Sequence, residues 1–193
     1  PAKAGRYLLR TSDGCGDVYY TNLAVKLLCL IANKSATFDP AGIGIEMEAD
    51  KPGWYDALNG LPGLLGSSTS EMFELRRYAQ FVLDAFDALK LDDHYELSIF
   101  DELGEFIKNL SEILGKEKDP LAFWNAANQA KELYRLSIRK GIRGDEEGVS
   151  VGSLRAFLKL VIGRTLTAEE RAKQKDGLTP TYYTFEVIEY EKL

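Results

Sequence analysis

Ser68–Lys90 reads STSEMFELRRYAQFVLDAFDALK, and this stretch decides the fold class. Ser68-Thr-Ser-Glu71 has the form of a capping box, with a hydroxyl residue at the N-cap and a glutamate three residues on. Met72, Leu75, Ala79, Val82, Phe86 and Leu89 then recur at alternating spacings of three and four. That period places one apolar stripe along a long amphipathic helix.

Downstream the same signals repeat. Asp92-Asp93-His94 reads as a turn, and a second helix is expected after it with Phe100, Leu103, Ile107, Leu110 and Leu114 on one side. Asp119-Pro120 supplies an N-cap followed by proline at the first helical position. The helix it opens carries Trp124, Ala127, Ala130, Tyr134 and Ile138 and stops near Gly141. GIRGDEEG, from Gly141 to Gly148, reads as a polar connector, as does the charge run Glu117-Lys118-Asp119. A further helix is expected over Val151–Ile162, with Leu154, Phe157, Leu158 and Val161 inward. Thr167-Ala-Glu-Glu170 then reads as a second capping box, opening a short charged helix. TYYTFEVIEYEKL, Thr181–Leu193, is β-branched, aromatic and alternating, and reads as a strand. Long helices with short connections stack as antiparallel neighbours. The expectation is a mainly α protein of α/α hairpins, a single unit over 1–193, with short β segments near 42–48 and 181–191.

Upstream, Tyr19–Asn33 reads as a helix apolar on most faces and therefore well buried. Before it, Ser12–Asp17 (SDGCGD) is a turn-rich loop. Its Asp13 and Asp17 are read as a helix cap, a cation site or contacts to a hydroxyl-rich ligand, and capping is the role Asp favours. Phe38-Asp39-Pro40 is a break. Gly42–Ser70, GIGIEMEADKPGWYDALNGLPGLLGSSTS, is rich in glycine yet carries Ile43, Ile45, Met47, Trp54, Leu58, Leu61, Leu64 and Leu65. So much apolar surface argues for an ordered loop that presents a site. Alternation sets Ile43, Ile45 and Met47 on one face and Glu46 and Glu48 on the other.

Composition excludes several classes. The 193 residues carry 24 Lys and Arg against 30 Asp and Glu, a formal charge of −6, which lacks the basic footprint of a nucleic-acid binder. The longest apolar run, Leu23–Ala32, is broken by Lys26 and is too short for a membrane span. No leader pattern is visible, so the expected location is the cytoplasm. Cys15 and Cys29 have no metal-ligand spacing and are expected to be reduced thiols; no metal or cofactor is expected.

The chemistry concentrates in the loop. Glu46, Glu48, Asp50 and Asp56 lie within eleven residues. Crowded acids near apolar surface raise one another's pKa, and an acid that keeps its proton near neutrality is what glycosidic cleavage needs. Trp54 and Tyr55 offer flat faces on which sugars stack, while Asn59 and the carboxylates suit sugar hydroxyls. Glu48 and Lys51 join them as substrate contacts. Glu46 or Glu48 would be the base if water were the nucleophile; contact with sugar hydroxyls or with Lys51 is the other reading. The plain structural reading also stands: Trp54 as a core anchor, Asp56 as an Asx-turn or cap residue, and Asn59-Gly60 as a simple turn.

Lys51–Ser67, KPGWYDALNGLPGLLGS, resembles a sequence of the cellobiose-phosphorylase-like proteins of glycoside hydrolase family 94. In that family a Trp-Asn-Asp-Gly-Met-Asn type motif sits on a loop of an (α/α)6 toroid, and its Asp protonates the departing glycosidic oxygen while inorganic phosphate attacks with inversion. The resemblance implies Asp56 as general acid, Trp54 and Tyr55 as flanking sugar contacts and Asn59 as the closing residue. It implies an oligosaccharide or disaccharide substrate with a β-glucoside-type bond, and inorganic phosphate as co-substrate. The sequence departs from the motif at Gly53, Tyr55 and Ala57, where the family commonly has Asp, Asn and Gly. The family's phosphate-binding histidines are not matched: the one histidine, His94, reads as a solvated or capping residue in a turn. A toroid needs twelve helices and the pattern supplies about six. The chain also begins at Pro1. The expectation is therefore a section of a larger enzyme, inactive alone, with the remainder of the parent polypeptide as its partner. The alternative is a non-catalytic sugar-binding or structural helical module.

Overall fold

The computed structural model describes residues 8–46 and 66–189. Five α-helices dominate: α1 (Leu23–Ser35), α2 (Thr69–Ala88), α3 (Asp101–Lys116), α4 (Pro120–Ser137) and α5 (Val151–Ala172). Short strands complete two small sheets. β1 (Ile45–Glu46), β2 (Gly66–Ser68) and β5 (Tyr182–Thr184) form one antiparallel sheet in the order β1-β2-β5; β3 (Glu96–Phe100) and β4 (Glu146–Ser150) pair antiparallel in the other. The mainly α expectation is thus met, with more β structure than expected.

The helices start where their caps say. Ser68 accepts from Glu71 N at 3.2 Å and Asp119 accepts from Ala122 N at 2.8 Å, with Pro120 in the first turn of α4. Such caps contribute about 1 kcal/mol each. Only half of the Ser68 box forms in the expected sense, because the Glu71 carboxylate pairs with Lys34 of α1. That pair ties the start of α2 to the end of α1.

Five expectations are corrected. The first helix begins at Leu23, capped by the Asn22 side chain on Val25 N at 3.0 Å, and it buries one face only: Leu23 and Leu30 are exposed. Glu96–Phe100 is a strand, so Phe100 precedes α3 instead of lying in it. Its partner is the end of the expected polar connector, with Phe100 opposite Glu146 and Glu96 opposite Ser150. β4 is mostly exposed and β3 buries only Ile99 and Phe100 at its end, so the alternating signal is weak, and the pairing comes from chain segments distant in sequence. The expected helix over Val151–Ile162 and its short successor are one helix. The Thr167 hydroxyl donates to Gly163 O at 3.1 Å, back along the same turn, so it continues α5 in place of capping a new one. Finally, the C-terminal strand covers only Tyr182–Thr184; Phe185–Glu189 are not in a strand. β2 offers three residues for pairing before α2 begins, so the ladder has no further partner.

One apolar core holds these elements. Phe38, Phe86, Phe123 and Phe157 are its largest fully buried side chains, joined by Leu28, Ile31, Met72, Leu103 and Leu110. Phe38 and Phe123 meet edge to face at 6.1 Å, and Phe106 stacks on Tyr134 at 4.5 Å. Phe38 directly precedes the turn built on Asp39.

Among the described residues no helix is long and apolar enough to cross a membrane. Cys15 and Cys29 are free thiols.

Candidate functional site

The candidate site is the frame that bounds residues 47–65. Glu48, Lys51, Trp54, Tyr55, Asp56 and Asn59 all lie outside the described residues. The frame itself is built in detail. β1 and β2, which bound the stretch on its two sides, pair antiparallel with Ile45 opposite Ser68 and Glu46 opposite Ser67. β5 adds a third strand on the far side of β2, and Thr69 Oγ1 donates to Thr181 O at 3.0 Å.

Asp39 locks this frame. Its side chain is fully buried and accepts four hydrogen bonds: from Ala41 N at 2.8 Å, Ile43 N at 3.3 Å, Gly44 N at 2.6 Å and Ser67 Oγ at 2.6 Å. A buried carboxylate is tolerated when donors surround it in this way. The effect is to fold residues 39–44 into a turn and staple it to β2. Two glycines are demanded by this geometry. Gly42 has φ +66, and a Cβ there would meet Arg171 Nη1 at 2.8 Å. At Gly44 a Cβ would lie 2.5 Å from Ser67 Oγ, inside contact distance.

Glu46, at the end of β1, faces α4. Its Oε1 accepts from Trp124 Nε1 at 2.5 Å. Burial raises the Glu46 carboxyl above its usual range, and nearby Asp39 adds to the rise; the Trp124 hydrogen bond and the Lys131 ammonium oppose it. Trp124 and Lys131 are seven residues apart on α4, two turns along one face, and Lys131 is 94% removed from solvent, being only 6% exposed. The frame thus presents a partly buried carboxyl, an indole and an ammonium together. That set can hold a proton, donate to a hydroxyl and offer a flat apolar face.

Sequence reasoning counted Glu46 among the acids and Trp124 as part of an inward helical stripe, but not their contact. Asp39 appeared only as part of a break, and Lys131 not at all. The i, i+7 spacing of Trp124 and Lys131 was the available signal.

The remaining expected residues lie elsewhere. Asp13 and Asp17 cap no α-helix. Their loop closes on itself through Thr11 N to Asp17 O at 3.0 Å and docks on 142–143 through Asp13 N to Ile142 O at 3.0 Å. Ser12 and Asp13 both take positive φ there. His94 is exposed, its backbone N–H bonded to the Asp92 carboxylate at 2.8 Å. Glu146, expected in a solvated connector, accepts from Tyr19 Oη at 2.5 Å and from Ser98 Oγ. These bonds, Ser98 first, pull the Glu146 carboxyl below its usual range. Burial and the Glu146 bond push the Tyr19 hydroxyl up to about 12. This pair pins the approach to α1 onto the β3–β4 sheet. Among the described residues no group of three or more His, Cys, Asp or Glu is arranged to hold a metal ion.

No protein-family model matches the chain, and no curated protein matches it.

Proposed function

We propose that this chain is a section of a carbohydrate-active enzyme of the glycoside-phosphorylase kind, in which Asp56 is the general acid of inverting cleavage of a β-glucoside-type bond. The observation that carries the reading is the resemblance of Lys51–Ser67, with its W-x-D-x-x-N core, to the acid loop of glycoside hydrolase family 94. The setting of that stretch supports it. The strands that bound it are stapled by Asp39 beside an indole and a carboxyl that burial keeps inclined to its proton. In this reading Trp54 and Tyr55 stack on the sugar, Asn59, Glu48 and Lys51 contact its hydroxyls, and inorganic phosphate is the co-substrate. The helices belong, in the same reading, to an (α/α)6 toroid that the parent polypeptide completes, in the cytoplasm, and the chain alone turns over little substrate.

The test is release of sugar 1-phosphate from a disaccharide by the parent protein. Asp56→Asn should abolish phosphate-dependent turnover, because an amide cannot supply the proton. Equal turnover by the Asn variant rejects the acid assignment. The departures at Gly53, Tyr55 and Ala57 favour one other reading, a sugar-binding module without chemistry. It predicts saturable sugar binding, lost in Trp54→Ala, and no turnover by the parent.

A further inference from the structure

At the turn between α3 and α4, where α5 passes, the surface opens into a pocket of about 330 Å³. This is at the small end of the ~300–1,000 Å³ range of ligand pockets. Its charged lining comprises four cations, Lys118, Lys159, Arg164 and Arg171, against one carboxylate, Glu117. In a chain of formal charge −6 this is a local reversal of sign.

Arg164 is the unusual member. It is 7% exposed, with its guanidinium carbon 3.9 Å from the ring centre of Phe123 and 5.7 Å from that of Phe38. Nη1 donates to Glu117 O at 3.3 Å, whereas Nε and Nη2 are buried and have no acceptor among the described residues. A buried cation is ordinarily matched by an anion or by a full set of acceptors. Among the described residues none of the four cations forms an ion pair. Asp39 and Asp119 act on Arg164 only at longer range, and their oxygens are engaged by backbone N–H groups and Ser67. Burial, and then the neighbouring Arg171, pulls the Arg164 guanidinium down to about 10. It remains charged at neutral pH and is crowded by a like charge. Arg171 is held in place by Lys118 O at 3.4 Å and by its close approach to Gly42.

We propose that this pocket binds a phosphate-sized anion, free or as a phosphomonoester, gripped by Lys118, Lys159 and Arg171 and supported by the buried charge of Arg164. The anion supplies the countercharge that the described chain does not. Lysine and arginine donors that converge on one small volume suit a multiply charged oxyanion better than chloride.

The experiment is NMR titration of the 193-residue chain with inorganic phosphate and, separately, with glycerol 3-phosphate. Ionic strength is held constant with sodium chloride. Saturable shifts at the amides of Lys118, Gly163 and Thr167 are expected for at least one ligand, and the tighter of the two shows whether the anion is free or esterified. Lys159→Gln with Arg171→Gln, both at exposed positions, should weaken binding at least about tenfold while leaving the remaining spectrum folded. Lys108→Gln removes one positive charge from α3 outside the pocket, against two in the double variant, and should change affinity less than about twofold. The shifts are read at amides of the pocket itself, whereas the carbohydrate reading is tested by turnover of the parent protein, so the two fail separately. Shifts that track chloride equally, unchanged affinity in the double variant, or an equal loss in Lys108→Gln would each overturn the proposal.

Discussion

Removing the Asp39 carboxylate tests whether the 39–44 turn and β2 are held together by one buried group. Asp39→Ala takes the acceptor from four donors, but they are not equivalent. Ala41 is exposed and Ile43 half-buried, so their N–H groups find water. Gly44 and Ser67 are buried, and their donors are left stranded. A stranded buried donor costs about 1–3 kcal/mol. Two of them give roughly 2–6 kcal/mol, reduced because the variant no longer buries a charge. The expected loss is about 3 kcal/mol, or roughly 6–12 °C in Tm for a domain of this size. Asp39→Asn keeps one carbonyl oxygen but turns an NH2 group toward N–H donors, so about half the loss is expected. Urea unfolding measures the magnitude, and amide exchange locates it: the Gly44 and Ser67 amides should lose protection before those of α4. A loss below about 0.5 kcal/mol, the range of an ordinary surface change, would refute the account of Asp39 as the staple. So would a full loss with unchanged exchange at Gly44.

Other predictions follow from the same geometry. Trp124→Phe removes the donor that opposes burial at Glu46, so the Glu46 carboxyl should titrate at higher pH in a carbon-detected NMR titration; no change would remove Trp124 from its environment. The raised Glu46 pKa also has a signed effect on stability. Its contribution is fully present below the ordinary value of 4.5 and is lost as pH rises through the folded-state value, so this component of the pH profile should vanish in Glu46→Gln. Tyr19 should stay protonated up to about 12 in a tyrosinate absorbance titration. Its contribution is present below 10.0 and lost as pH climbs toward about 12, and Tyr19→Phe should erase that segment. Asp119→Ala should cost about 1 kcal/mol by loss of the α4 cap, with thermal unfolding as the measure.

The sequence alone determined the parts governed by local physics. A hydroxyl before a capped turn, a proline after an aspartate and apolar residues every three or four positions are properties of short windows. They placed α2 and α4 closely, and they marked Gly42–Ser70 as the segment to be explained. Within that segment Asp56 was singled out by the resemblance of its motif to a family loop, and it lies outside the described residues. Only tertiary structure decided the rest, because each missing feature depends on residues far apart in the chain. Glu96–Phe100 and Glu146–Ser150 become strands through each other, since neither has enough apolar alternation to declare itself. Thr167 looked like a cap and is an interior helical residue, because the buried face of α5 continues through Arg164, Thr165, Ala168 and Ala172. Asp39 is recognisable as a staple only when Ser67 is brought to it, and Glu46 meets Trp124 only after α4 folds across β1. The basic pocket likewise gathers Lys118 from the α3–α4 turn and Lys159, Arg164 and Arg171 from α5 into one small volume. A burial cost or an unpaired charge is set by what surrounds a group, and those surroundings exist only in the folded chain.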